Sequence, residues 1–254
     1  MSKPSSALAL LSAVTALVSL SFAAPTAART VEIPFDATNF SNPVANKFYP
    51  LEPGTHTYTA ETADGCDVNV VEVTSQTKTI EGVETIVVHD QAYLDDECDG
   101  ITDDELVEDT FDWIATDNFG NVWYFGEESY SCEGLGSCEL SDGSWEAGKD
   151  VQGTGSNAEA GILMLADPKP GNRYSQEFYE GFAEDSGMVM NGNAANRLGK
   201  IDGLSTDELD NCIATKEWTG LDPGDIEQKI YCEDVGLVLT IEHHGKVVRS
   251  KLEQ

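Results

Sequence analysis

The chain has 254 residues, with 46 acidic side chains against 14 lysines and arginines and a formal net charge of −32. Nucleic acids and anionic membranes would repel such a surface, which excludes them as partners. Cations, basic matrix surfaces, glycans and small ligands remain.

Residues 1–23 have the pattern of a secretory signal peptide. Lys3 lies in a short polar start, an apolar run extends from Ala7 to Leu20, and the small residues Ser21 and Ala23 suit signal peptidase. The run is shorter than the roughly 20 apolar residues that a membrane-spanning helix needs. We therefore expect a secreted, extracellular protein that has no membrane attachment after cleavage.

A loosely ordered lead-in is predicted for residues 24–47 and a single β-domain for residues 48–254, because short runs rich in β-branched and aromatic residues then alternate with turn residues. No long stretch has a helical apolar stripe. The fold class predicted is all-β, an antiparallel β-barrel or open β-sandwich of about ten strands. The predicted strands are Thr55–Thr59, Val68–Thr74, Glu84–Tyr93, Leu106–Thr116, Asn121–Tyr130, Arg173–Tyr179, Met188–Met190, Ile213–Trp218, Ile226–Tyr231, Leu237–Glu242 and Lys246–Ser250.

Six cysteines form an even set in a chain predicted to reach an oxidising compartment, which favours disulfides over metal thiolates. The sequence leaves the connectivity open. Pairing in sequential order is preferred, because each pair then flanks neighbouring strands or one hairpin. This order pairs Cys66 with Cys98, Cys132 with Cys138, and Cys212 with Cys232.

The clearest local signal is a hairpin turn at Asp117–Asn121, where Asn and Gly tolerate positive φ. Side chains alternate along the strand before it. One face carries Asp109, which could be a raised-pKa acid at a barrel mouth or a hydrogen-bonded residue near a strand end. Trp113 on the same face and Trp123 after the turn could stack on a flat ligand, or lie in the core. The predicted ligand-binding residues are Asp109, Trp113 and Trp123.

Acidic residues are densest between Asp95 and Asp112, where ten of eighteen residues are Asp or Glu. The start of this segment resembles a calcium loop, but it lacks the carboxylate that an EF-hand needs at its twelfth position. An irregular calcium site and a solvated acidic loop without an ion both remain open. The predicted metal ligands are Asp95, Glu97, Asp99, Asp103 and Glu105.

Six stretches, in this order and spacing, resemble an uncharacterised family of secreted and lipid-anchored, mostly bacterial, β-rich proteins. The resemblance covers nearly all of residues 48–242 and implies an extracytoplasmic β-domain, without implying a reaction. The stretches are Tyr49–Thr55, Leu106–Trp113, Gly120–Glu127, Gly143–Gly148, Thr215–Trp218 and Gly236–Leu239.

The function expected is that of a secreted acidic binding protein for calcium, a glycan or a small ligand, with no established cofactor and no catalytic residue assigned. One alternative is an extracellular polysaccharide hydrolase using paired carboxylates, with Asp109 and Asp112 acting with Glu127. The other alternative is an acidic matrix or biomineral protein.

Overall fold

The computed structural model describes residues 28–63, 65–190, 211–222, 224–243 and 247–253. The predicted signal peptide lies outside these ranges. The described residues form sixteen strands and two short 3₁₀ helices, at Ala37–Phe40 and Asp103–Glu105. The strands are β1 (Arg29–Thr30), β2 (Gly54–Thr62), β3 (Gly65–Ile80), β4 (Val83–Asp95), β5 (Leu106–Thr116), β6 (Val122–Cys132), β7 (Cys138–Leu140), β8 (Trp145–Glu146), β9 (Glu159–Met164), β10 (Asn172–Ser175), β11 (Glu177–Phe178), β12 (Asp185–Val189), β13 (Cys212–Thr219), β14 (Ile226–Cys232), β15 (Gly236–His243) and β16 (Val247–Glu253).

The all-β prediction is confirmed, and the strands form a curled, mainly antiparallel sheet with the shape of a half-barrel. The strand order is β1-β10-β12-β13-β14-β15-β16-β2-β3-β4-β5-β6-β9-β11, with β7 and β8 added beside β6. Only β1 and β10 pair in parallel among the described strands. Each predicted strand overlaps at least one observed strand.

The segment 172–178 joins the two ends of this strand order. Its first part, β10, pairs with β12, while its second part, β11, pairs with β9 across the molecule. The switch occurs at Gln176, which the sequence had placed inside one continuous strand. Gly161 on β9 lies so close to the Gln176 carbonyl that a β-carbon would collide with it. The absence of a side chain therefore allows this closure.

The hairpin predicted around Asp117–Asn121 is confirmed, and a buried carboxylate holds it together. Asp117 accepts hydrogen bonds from the backbone N–H groups of Phe119 and Asn121, from the Asn121 amide and from the Trp123 indole, at 2.8–3.0 Å. Its side chain, which is 1% exposed, therefore fixes the turn between β5 and β6 through four donors.

The described part of the predicted lead-in contacts the core. Phe35 and Phe40 lie edge-on to the rings of Trp123 and Phe125, with centroid separations of 5.6–5.9 Å. Such pairs add to the free energy gained by burying the rings. These aromatic contacts attach the segment before β2 to one side of the sheet.

The Gly-, Ser- and Asp-rich composition of residues 143–160 predicts a mobile loop, but the structure has ordered elements at both ends of this stretch. Trp145 in β8 is 1% exposed, and β9 begins within the same stretch. The loop prediction was therefore wrong at both ends. The Gly- and Ser-rich composition gave no indication of the short strand β8, which the buried ring of Trp145 fixes in place.

The structure contains all three disulfides in the sequential order preferred from the sequence. They join Cys66 to Cys98, Cys132 to Cys138, and Cys212 to Cys232. The last pair lies at directly opposed positions of β13 and β14. Three disulfides indicate an oxidising, extracellular-type environment. In the described part of the chain, no helix has the length and apolar character needed to cross a membrane.

Candidate functional site: an acidic cavity inside the curled sheet

The curled sheet encloses a cavity of about 490 Å³. Its lining residues recur at every second position of the strands, as in Val71 and Val73 on β3 or Asp112 and Ile114 on β5. This spacing follows from the alternation of side chains along a strand. The cavity is therefore formed by one face of many strands, and its size is within the roughly 300–1,000 Å³ typical of ligand pockets.

The described lining residues are unusually rich in carboxyl groups. Eight of them are acidic, whereas Lys229 is the single lysine or arginine among them. His56 also lines the cavity. The acidic residues are Asp90, Asp112, Glu127, Glu177, Asp185, Glu217, Glu227 and Glu242.

Two of these carboxyl groups share the hydroxyl of Tyr124. The Tyr124 oxygen lies 2.6 Å from Oδ1 of Asp112 and 2.7 Å from Oε2 of Glu127. A hydroxyl has one proton and can donate only one of these two hydrogen bonds. The other contact requires a proton on the carboxyl group. The geometry therefore places at least one neutral carboxylic acid beside Tyr124.

A β-bulge explains how Tyr124 and Glu127 reach the same cavity although they are three residues apart. Asp112 pairs with Glu127 and Ile114 pairs with Tyr124, so two residues of β6 lie opposite the single residue Trp113. Gly126, in the bulge, has φ of +128° and lies against the Trp145 backbone, where a β-carbon would collide. The bulge reverses the alternation and brings both side chains to one face.

Burial raises the pKa of several cavity carboxyl groups. Burial and the nearby Glu127 raise the pKa of Asp112 well above its ordinary value, and burial raises the pKa of Glu127 to about 7. Burial also raises the pKa of Asp90 to about 6. The pKa of Glu177 is raised well above its ordinary value by burial and then by Asp185. None of these four carboxyl groups forms a described salt bridge with a lysine or arginine, so burial dominates their pKa values.

The cavity's lysine is already paired. Nζ of Lys229 lies 2.9 Å from Glu217 and 3.1 Å from Glu227. Burial alone would lower the pKa of Lys229, but these two carboxylates outweigh it and raise the pKa well above its ordinary value. Thr215 also donates to Glu217 at 2.7 Å. Lys229 therefore offsets part of the charge of Glu217 and Glu227, and no described ion pair places a cation on Asp112 or Glu127, which lie at what we call the Asp112 end of the cavity.

Tyrosine rings form another part of the lining. Tyr49, Tyr58, Tyr124 and Tyr231 all border the cavity, and the ring centroids of Tyr49 and Tyr231 are 6.0 Å apart. The Tyr58 hydroxyl donates to the carbonyl of Leu237 at 3.2 Å. Aromatic faces attract cations, and they also offer apolar contact area.

The structure places the predicted ligand-binding residues outside the cavity lining. Asp109 lies 2.6 Å from His89, whose ring stacks on Phe111. The Lys78 ammonium lies 3.0 Å from the centroid of the Trp113 ring, and Trp123 is held in the core by Asp117. A ligand that used these three residues would be bound elsewhere than in the cavity.

Some of the predicted metal ligands are already hydrogen-bonded within their own loop. Asp95 accepts from the backbone N–H groups of Glu97, Asp99 and Gly100. Glu105 accepts from the backbone and hydroxyl of Thr102. No group of three or more His, Cys, Asp or Glu side chains is arranged to hold a metal ion within the described ranges. Calcium binding by residues 95–105 stays a prediction, which a rise in Tm with millimolar Ca²⁺ but not Mg²⁺ would support.

The sequence analysis predicts no role for Glu177, Asp185 or Lys229, although Glu177 and Lys229 fall within predicted strands. In Ile226–Tyr231, every second residue (Glu227, Lys229 and Tyr231) carries a polar group, and this is the signal that could have identified an inward-facing polar row there. For Glu177 and Asp185 the local sequence has no comparable signal.

No protein-family model, curated protein or solved structure matches this chain. The resemblance to secreted and lipid-anchored bacterial proteins therefore stays a prediction, and the geometry of the cavity carries the functional argument.

Proposed function

We propose that this protein is secreted and acts as an extracellular binding protein that takes a small polar ligand into the acidic cavity. The observation that carries the proposal is the cavity itself, with eight acidic residues in its lining and its lysine already paired. Such a lining offers many hydrogen-bond acceptors. A ligand that supplies donors complements it.

The proposal is tested by thermal unfolding with millimolar concentrations of separate ligands: neutral sugars, small amines and calcium. A ligand present at about 100 times its Kd stabilises the folded state by about 2.7 kcal/mol. That corresponds to a rise in Tm of several degrees for a chain of this size. A rise with at least one of these probes is the expected result.

Two variants on β4 separate the cavity from general charge effects. Asp90→Asn changes a cavity side chain, whereas Glu84→Gln changes an exposed side chain on the same strand. The ligand-induced rise in Tm should shrink in Asp90→Asn and persist in Glu84→Gln. Equal responses of the two variants, or no response of the unmodified protein to any probe, would refute binding in the cavity.

A second candidate is a polysaccharide hydrolase, favoured by the Asp112–Tyr124–Glu127 arrangement. Both carboxyl groups contact the same hydroxyl oxygen, at 2.6 and 2.7 Å, so their contacting oxygens lie close enough to be compatible with the separation of about 5–5.5 Å found in retaining glycosidases. With a pKa of about 7, Glu127 could supply a proton at neutral pH.

The hydrolase candidate is tested by measuring reducing ends released from a polysaccharide panel. Glu127→Gln should abolish the release, whereas Asp109→Asn, which lies outside the cavity, should not. Release that is equally fast in Glu127→Gln would exclude this pair as the catalytic groups.

A further inference from the structure

The Asp112 end of the cavity combines a shared proton with an excess of carboxyl groups. Tyr124 contacts Asp112 and Glu127, and no third group between them supplies a positive charge in the contacts described. The charged and titratable groups that face this end from the surrounding strands are Asp90, Glu108, Glu177, Asp185, Glu217, Lys229 and Tyr49.

Most of these neighbours are acidic, and Lys229 is held by Glu217 and Glu227. A proton on Asp112 or Glu127 therefore does what a cation would otherwise do: it prevents two buried negative charges from facing each other. The proton is bound where the described residues place no positive group in contact with Asp112 or Glu127. A ligand group that replaces this proton should therefore be positively charged.

We infer that the ligand is a small organic amine, and that its ammonium group displaces a proton from the Asp112–Tyr124–Glu127 group into solvent. This inference rests on the proposed binding function and names its ligand class. The exchange is balanced: a neutral carboxylic acid and a protonated amine give a carboxylate–ammonium pair, and one proton is released.

The geometry favours an ammonium group over a neutral hydroxyl-rich ligand. An ammonium has three donors and no acceptor, so it can donate to Asp112 and Glu127 after Tyr124 has committed its one proton. A sugar hydroxyl could join the same hydrogen bonds but would bring no charge to replace the proton. Of these two ligands, only the amine therefore couples its binding to the release of a proton.

The rest of the lining suits an amine with an aromatic or apolar body. Tyr49, Tyr58 and Tyr231 present rings to the cavity, and Leu51 and Leu163 add aliphatic surface. Rings near an ammonium supply cation–π attraction, and the aliphatic groups bury the body of the ligand. Tyramine has both features and fits easily within about 490 Å³.

The experiment is isothermal titration calorimetry of the full-length protein with tyramine, between about pH 5.5 and about pH 8, in phosphate and in HEPES. The difference in heat between the two buffers measures the protons released. We expect release of about one proton per tyramine at the acidic end of this range. The affinity should then rise by up to about tenfold per pH unit and level off once the group is ionised.

Variants locate the proton. Glu127→Gln should weaken tyramine binding and reduce proton release, and Tyr124→Phe, which keeps the ring, should shift the pH profile. Glu84→Gln on the exposed side of β4 should match the unmodified protein in both measurements. Circular dichroism of each variant confirms that the fold is retained, and Tyr124→Phe serves if Glu127→Gln does not fold.

The outcomes separate the two proposals. Tyramine binding without proton release and without pH dependence overturns this inference and leaves the proposed binding function intact. Binding of neutral glucose but not of tyramine does the same. If no amine, sugar or calcium binds at any pH, the proposed function fails, and the inference fails with it.

Discussion

Two groups of acidic residues in this protein are held in opposite ways. In the segment Asp95–Glu105, nearly all side chains are exposed, and Asp95 itself accepts three backbone hydrogen bonds. These hydrogen bonds lower the pKa of Asp95, and the bond from Gly100 has the largest effect. In the cavity, burial raises the pKa of Asp112 and Glu127.

The difference shows that the local density of acids in a sequence does not predict where negative charge is costly. Water and backbone N–H groups stabilise the charges of the dense segment. The cavity acids are sparse along the chain, but they converge on a space with one lysine. The cost of a carboxylate therefore depends on what surrounds it after folding, and this can be tested one group at a time.

The largest effect is expected from Lys229→Met. This change removes the cation that pairs with Glu217, whose side chain is 9% exposed. The buried carboxylate then keeps its negative charge without a positive charge beside it. Breaking such a pair costs about 3 kcal/mol of the free energy of unfolding. Urea denaturation at neutral pH measures the loss.

Two further variants test the cause of that loss. Adding Glu217→Gln to Lys229→Met should recover more than half of the stability, because it removes the unpaired charge. Lys169→Met, whose partner Asp167 is exposed, should cost less than about 0.5 kcal/mol. Equal losses in the two single lysine variants would show that the cavity pair has no special importance.

The second effect is a fall in stability as pH rises. The folded protein keeps protons on Glu127 and Asp90 up to pKa values of about 7 and about 6, whereas the unfolded chain releases them near pH 4. The folded state thus binds more protons between these limits, and the free energy of unfolding must decrease with pH there. We expect a decrease of about 2 kcal/mol between about pH 6 and about pH 8.

Glu127→Gln tests the source of this slope, because the amide cannot ionise. The variant should lose less stability than the unmodified protein over the same pH range, while Glu84→Gln should keep the full slope. A slope that is unchanged in Glu127→Gln would mean that Glu127 does not contribute, and that Asp90 or the mutual repulsion of the exposed acids causes the decrease.

Alternation and turn chemistry predicted much of this fold. Turn chemistry predicted the Asp117–Asn121 turn, because Asn and Gly favour tight hairpins. The alternation of side chains also accounts for Asp112 and Ile114 lying together on the cavity face of β5. The other face of that strand contains Phe111 and the predicted ligand-binding residues Asp109 and Trp113, which lie outside the cavity lining. Its apolar residues pack against neighbouring side chains, whereas the cavity face is the polar one.

The rest of the site depends on features that short-range patterns do not contain. The bulge at Gly126 brings Glu127 to the face of Tyr124, and strict alternation would have placed them on opposite faces. Glu177 reaches the cavity because the chain leaves β12 and pairs with β9 after Gln176, and Lys229 lies on β14, several strands away from β5 and β6 in the sheet order. These arrangements depend on how the sheet closes. The sequence patterns therefore predicted the strands, but they did not predict which side chains meet in the cavity.

The smallest effect is expected from Asp95→Asn. The amide oxygen can still accept backbone N–H groups, so only the charge is lost, at a buried position where three backbone donors already stabilise it. Because the pKa of Asp95 is lowered, its charge stabilises the fold above the unfolded-state value near pH 4, and that contribution disappears as pH falls through the lowered pKa. Acid denaturation should therefore begin at a slightly higher pH in Asp95→Asn than in the unmodified protein. The midpoint of urea denaturation at pH 7 should change less in Asp95→Asn than in Lys229→Met. A loss at pH 7 as large as that of Lys229→Met would show that hydrogen bonds to the dense acidic segment, rather than compensation inside the cavity, dominate the stability of this protein.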